Sequence, residues 1–216
     1  RACCRDREGA RTGERTGRYK EARARATTLA TDAAAVGFGP LVAETLLARG
    51  ELEEQDGDLA AALATLADAA HAAGAARDDA TSAKVLLALV GVHVEKGEAQ
   101  AALALGVAAD SAVEREHDPG LAADLAVQLG MAHDAAGDDQ AQRFLESALA
   151  LRQAQDPSTV AVAEILNKLG GLAARRGDDA KARTDYEAAL KIVSEQLGRD
   201  HPATAITHAN LCYLDA

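Results

Sequence analysis

"GDDAKARTDYEAAL", residues 177–190, opens on a Gly–Asp turn and continues into alanines and a tyrosine at helical spacing. Its opening returns upstream: Gly137 begins GDDQAQ, Gly97 GEAQAA, Gly57 GDLAAA and Gly17 GRYKEA. Successive glycines stand 40 residues apart. A fixed period within ~20–50 residues is the signature of a repeat array, where each repeat buries its apolar face only against a neighbour.

Each repeat reads as two helices with the glycine turn between them. In 157–197, Asp156 and Pro157 suit an N-cap and a first-turn proline. Leu166, Leu169, Leu172 and Ala173 form a helical stripe. Arg175 and Arg176 then favour the negative helix end, Gly177 supplies a left-handed cap, and Asp178 and Asp179 start the next helix. That helix buries Ala182, Tyr186, Ala189, Leu190 and Val193 before LGRDHP closes it. Pro40, Pro119 and Pro202 lead other helices, and Asp79 caps the one after RDD. The spacing predicts helices over 18–36, 40–56, 58–74, 79–96, 98–115, 119–136, 138–154, 157–176, 178–197 and 202–215, joined by the short loops that antiparallel pairs require. Residues 1–16 carry no apolar stripe and read as a disordered basic segment ahead of the array at 17–216.

The composition agrees with an all-α fold. It is 48% hydrophobic but only 2% aromatic, so alanine and leucine must build the core, and no sustained period-2 alternation marks a strand. The net charge of −11 disfavours nucleic acid, which needs a clustered basic surface. Charge is uneven: residues 1–25 hold nine Lys/Arg against four acids, whereas 40–140 hold 19 acids against five bases. Cys3, Cys4 and Cys212 form no spaced framework, which suggests a reducing compartment and a cytoplasmic location. No apolar run approaches the ~18 residues of a membrane span; VLLALVGV at 85–92 reads as a buried helix segment. Arg1 is not an initiator residue, so the absence of a signal peptide there says little about targeting.

The repeat resembles the tetratricopeptide repeat, which carries a small residue seven before the turn glycine. Gly50, Gly130 and Gly170 match that slot and Val90 departs; the preceding slot, usually leucine, is Leu89, Leu129 and Leu169, but Arg49 in the first repeat. The small residue five after the turn is Ala22, Ala62, Ala102 and Ala182, with Gln142 the exception. The large residue nine after it is Leu66 and Tyr186, but Gly106 and Glu146 in the middle repeats. The third repeat is one residue short in its second helix, so Leu145 is expected in place of Glu146. Residues 182–214 look like the long-period variant of kinesin light chains, where an L-G-x-D-H-P turn precedes an L-N-N-L-A helix. Asn167 matches the first asparagine and Asn210 the second, while Lys168 and Ala209 depart. The whole chain also resembles the repeat region downstream of the catalytic domain in bacterial multidomain serine/threonine protein kinases. The resemblance implies a right-handed α-solenoid of antiparallel helix pairs. The chain would begin on the second helix of one repeat and end on the first helix of another. That last helix is expected to lie on its neighbour through Ile206, Leu211 and Leu214.

The sequence carries no catalytic constellation. There is no glycine-rich kinase loop, HRD or DFG, no GxxxxGK[ST] and no HExxH, and no cofactor motif. His93 and His133, four residues before a turn glycine, fall in a family slot that packs on the partner helix; a zinc site would need a third or fourth ligand. His117 and His201 precede helix starts, while His71 and His208 have no recognisable partners. The pairs Glu53/Glu54 and Asp138/Asp139 read as solvated acids at helix ends.

The resemblance therefore implies a scaffold that binds a protein or peptide on the inner face, lined by the first helix of each pair. In family register that face carries Glu44, Leu47, Glu51 and Glu54; Lys84, Leu87 and Glu95; Asp124, Val127, Met131 and Asp134; Glu164, Asn167, Lys168 and Arg175; then Asn210 and Tyr213. Its acids would attract a basic segment, and its asparagines would serve an extended backbone. The alternatives are a fragment of a kinase whose catalytic domain lies upstream, and a structural self-association module.

Overall fold

A computed structural model describes residues 21–214. The expected disordered segment 1–16, Gly17, Cys3 and Cys4 lie outside the described residues. The described residues are helical throughout and contain no strand. The helices are α1 (21–36), α2 (Gly39–Gln55), α3 (Leu59–Ala76), α4 (Asp79–Glu95), α5 (Ala99–Glu116), α6 (Pro119–Ala135), α7 (Ala141–Gln155), α8 (Val160–Arg175), α9 (Asp179–Leu197) and α10 (Pro202–Leu214). They divide into two compact units, Arg1–Glu116 and His117–Ala216.

In the N-terminal unit, α2 pairs with α3 and α4 with α5, while α3 also packs on α4. Leu47, Ala62, Leu66, Ala69, Val85, Leu89 and Val92 form its core. In the C-terminal unit, α6 pairs with α7 and α8 with α9, and α10 packs on α9 and α8. All four turn glycines within these pairs have positive φ, +73° to +81°, a backbone region where a Cβ would collide with the carbonyl. The turn aspartates Asp58 and Asp178 accept from the N–H groups of Ala61 and Lys181, satisfying donors that the helix itself leaves free.

The glycines seven before each turn allow close helix contact. A Cβ on Gly50 would meet Leu66 at 2.7 Å, on Gly130 Leu145 at 2.8 Å, and on Gly170 Tyr186 at 2.7 Å. Leu145 thus takes the slot of Glu146, and buried Ala141 takes that of Gln142. In the second repeat the sizes are exchanged. Val90 is buried where its counterparts are glycine, and Gly106 is buried where they are leucine or tyrosine. Two departures from the family pattern are therefore one compensated change.

Three local expectations fail. Asp78, not Asp79, caps α4, accepting from Thr81 N–H, because the cap must precede the first helical residue. Asp156 does not cap α8; it turns the chain by accepting from Ser158 N–H (2.8 Å) and Oγ (2.6 Å), so Pro157 precedes a helix that starts at Val160. The short third repeat also delays α7 to Ala141. A further correction concerns α3, an 18-residue helix long and apolar enough to cross a membrane by length and composition. Its apolarity comes from alanine on every face, interrupted by Asp68 and His71, and it packs between α2 and α4.

The register of α10 reflects the longer turn before it. Its fully buried Thr204 and Thr207 stand 42 residues after Val162 and Ile165 of α8, which are also buried. Leu211 and Leu214 pack against Ala173, Ala182 and Tyr186, as expected. Ile206 does not. It is 61% exposed, in the position of exposed Glu164.

Candidate functional site

In the N-terminal unit the expected inner-face residues lie on α2 and α4. Glu44, Glu51, Lys84 and Glu95 are exposed, and Glu54 and Leu87 are half-buried. Leu47 is a correction: it is only 8% exposed and belongs to the core with Ala62 and Leu66, so no partner can reach it. Glu51, Glu54 and Glu95 share one electrostatic neighbourhood. Burial, followed by the charges of Glu95 and Glu51, pushes the Glu54 carboxyl up to about 7. Burial also raises Glu51, against the opposing pull of Lys84.

The elevated carboxyl of Glu54 has a stability consequence. The folded chain holds its proton more tightly than the unfolded chain, so the stability it contributes is full below the ordinary carboxylate value, 4.5, and is lost as pH rises towards 7. Glu54→Gln should therefore stabilise the protein at pH 8 by about 1 kcal/mol, a figure reduced for solvent screening, and change little at pH 4. Thermal melts at both pH values check this; an equal gain at both would remove the carboxylate from the explanation.

The C-terminal unit is electrostatically different. Asp134 is paired with Arg175 of α8, and Asp124 with Arg152 of α7. Lys168 Nζ donates to Met131 Sδ at 3.1 Å. Val127 packs against the core around Leu145 and Leu169, and Glu164 stays exposed. Asn167 Nδ2 donates to Thr207 Oγ1 at 2.9 Å, while its Oδ1 is buried without a partner. Its amide thus joins α8 to α10 rather than standing open for a peptide backbone. Asn210 is half-buried and Tyr213 is 81% exposed on α10. The expected run of acid through the first three repeats is thus neutralised in the third, because cations on α7 and α8 pair with its aspartates.

One expectation about solvated acids is overturned. Glu53 is fully buried and accepts from Thr65 Oγ1 at 2.6 Å and Arg49 Nε at 2.8 Å. Arg23 of α1 approaches it to 3.8 Å and also pairs with Asp56 at 3.2 Å and Asp58 at 2.9 Å. Three helices meet at this carboxylate. Glu53 falls four before the turn glycine, the slot of His93 and His133, so the repeat register itself was the available signal.

The two histidines bridge their turns. His93 Nδ1 lies 2.7 Å from Glu98 Oε2 and His133 Nδ1 lies 3.0 Å from Asp138 Oδ2, and His133 stacks on Phe144 with centroids 4.9 Å apart. Bonds from Lys96 and then His93 hold the Glu98 carboxyl below its usual range. For Asp138 the first cause is the N–H of Gln140, with His133 adding to it. His201 Nδ1 accepts from Ala203 N–H at the start of α10. Among the described residues no group of three or more His, Cys, Asp or Glu is arranged to hold a metal ion. Cys212 is exposed.

Comparison with known proteins bears on the same elements. Residues 161–211 match the tetratricopeptide repeat family model. The crystal structure of BtubC (BKLC) from P. vanneervenii is similar in fold, with a TM-score of 0.76 over 91% of this chain and 82% of that one. Sequence identity in that comparison is 21%, so the likeness is one of fold alone. No curated protein matches the chain in sequence. Residues 161–211 thus carry a tetratricopeptide repeat signature, and the chain shares the helix-pair fold of that solved structure.

Proposed function

We propose that the chain is a protein-interaction scaffold whose N-terminal unit takes a basic segment of a partner on the face formed by α2 and α4. The supporting observation is the shared field of Glu51, Glu54 and Glu95. An incoming lysine or arginine would relieve that like-charge repulsion, and the exposed positions of Glu44, Glu51 and Glu95 leave room for it. Tetratricopeptide repeats act as binding modules for proteins and peptides, and the reading extends that role to this face. The resemblance to kinase-associated repeat regions supports a cytoplasmic scaffold or sensor within a bacterial signalling protein.

Titration calorimetry with a lysine- and arginine-rich peptide tests the reading. Binding should weaken at least fivefold between 50 and 300 mM salt, since exposed charges are screened beyond ~8–10 Å at about 0.1 M. Glu51→Lys with Glu95→Lys should abolish it, whereas Asp124→Asn in the C-terminal unit should leave it unchanged. Salt-independent binding, or binding that survives the double reversal, would refute the assignment.

A further inference from the structure

One position of the repeat changes character in the pair α8–α9. Four before the turn glycines stand Glu53, His93, His133 and Ala173. The first three side chains each reach a polar partner: Glu53 accepts from Thr65, His93 pairs with Glu98, and His133 pairs with Asp138 while stacking on Phe144. The acid directly after the glycine, Glu98 and Asp138 in the two histidine pairs, is kept as Asp178, but the methyl group of Ala173 is too short to meet it. A hollow of about 150 Å³ lies there, between α7, α8 and α9. Leu169, Leu172 and Ala173, all buried, form its apolar wall, and Asp178 and Lys181 line it from α9. Asp185 directly precedes Tyr186 as Phe144 directly precedes Leu145, and it is only 8% exposed. Its Oδ2 is buried without a hydrogen bond, 3.4 Å from Lys181 Nζ.

We propose that this hollow binds a histidine side chain of a protein partner, which takes the place that His93 and His133 fill in their own repeats. The register sets the contacts. One ring nitrogen donates to Asp178, as His133 Nδ1 lies 3.0 Å from Asp138 Oδ2, and the ring lies towards Asp185 where His133 lies on Phe144. Carboxylates on both sides favour the imidazolium, whose second N–H suits the unpartnered Oδ2. Lys181 is the competing cation; its side chain is 40% exposed and can turn to water as the ring enters. Arg176, also on the rim, donates to Gln142 Oε1 at 3.1 Å and lies 3.5 Å from Asp139. A cavity of about this volume admits one benzene-sized ring, so the hollow takes a single side chain and leaves the partner's backbone outside. The site lies wholly within the C-terminal unit and does not draw on the acidic face of α2 and α4.

Titration of the isotope-labelled 216-residue chain with N-acetyl-histidine methylamide, followed by NMR, tests the proposal. The amides of Ala173, Asp178, Lys181 and Asp185 should shift together, with a dissociation constant on the order of 1–10 mM, the range one small side chain can supply. The phenylalanine and lysine analogues should bind roughly fivefold more weakly, because each leaves part of the polar or the apolar wall unmatched. Asp178→Asn keeps the helix cap but removes the charge, and should weaken histidine binding roughly fivefold. Ala173→His supplies the ring from within the chain and should abolish binding; Asp178→Asn keeps the test decisive whatever that variant does to folding. Shifts absent from these four amides would overturn the proposal, as would equal binding of the phenylalanine or lysine analogue. So would unchanged affinity in Asp178→Asn, or binding of free imidazole without binding of the blocked histidine.

Discussion

Gly170→Val is expected to destabilise the C-terminal unit by about 3 kcal/mol, at the upper end of what overpacking costs. Any Cβ at this position meets the Tyr186 ring at 2.7 Å, and Tyr186 is only 5% exposed, so the ring has little space into which to withdraw. Adding Tyr186→Ala should recover at least 1 kcal/mol beyond the sum of the single effects, because the two side chains compete for one volume. The second repeat supplies the natural reversal in Val90 and Gly106. There, Gly106→Leu alone should be destabilising, and Val90→Gly in the same chain should offset much of that loss. Denaturant titrations followed by circular dichroism measure both cycles. Simple additivity in both would mean that these positions do not share a packing slot.

That pair also marks the boundary of what the sequence made legible. The 40-residue spacing of the turn glycines was sufficient to place the helix pairs, because a left-handed turn has few substitutes for glycine. Val90 and Gly106 each looked like a failed match when taken singly. Only their burial on the paired helices α4 and α5 makes an exchange of sizes between them readable as one change, and matching slot by slot treats each position alone. The inner face suffered a related limit. Asp124 and Asp134 were correctly placed on first helices, but Arg152 and Arg175 reach them from other helices and cancel their charge. Long arginine side chains span distances that a register diagram cannot show. Leu47 was lost to the core because register assigns a direction, not a depth.

Glu53→Ala should be costly for a different reason, by about 3–4 kcal/mol, the range for breaking a buried charged network from one side. The substitution removes the acceptor for Thr65 and Arg49 together and leaves the hydroxyl of Thr65, itself 5% exposed, without its partner. Arg23 keeps Asp56 and Asp58, so α1 should remain attached but exchange its amide hydrogens faster. Arg23→Ala should release α1 further while costing the α2–α3 pair little. The variant Glu53→Met with Thr65→Val is the discriminating one. It removes both ends of the buried hydrogen bond and fills the space with apolar atoms, while Arg49 and Arg23, each about one-third exposed, can turn to water. It should therefore be less destabilised than Glu53→Ala alone, since a satisfied apolar core outperforms half a polar network. If the single alanine variant loses less than 1 kcal/mol, Glu53 is not the junction of three helices that its burial and hydrogen bonds describe.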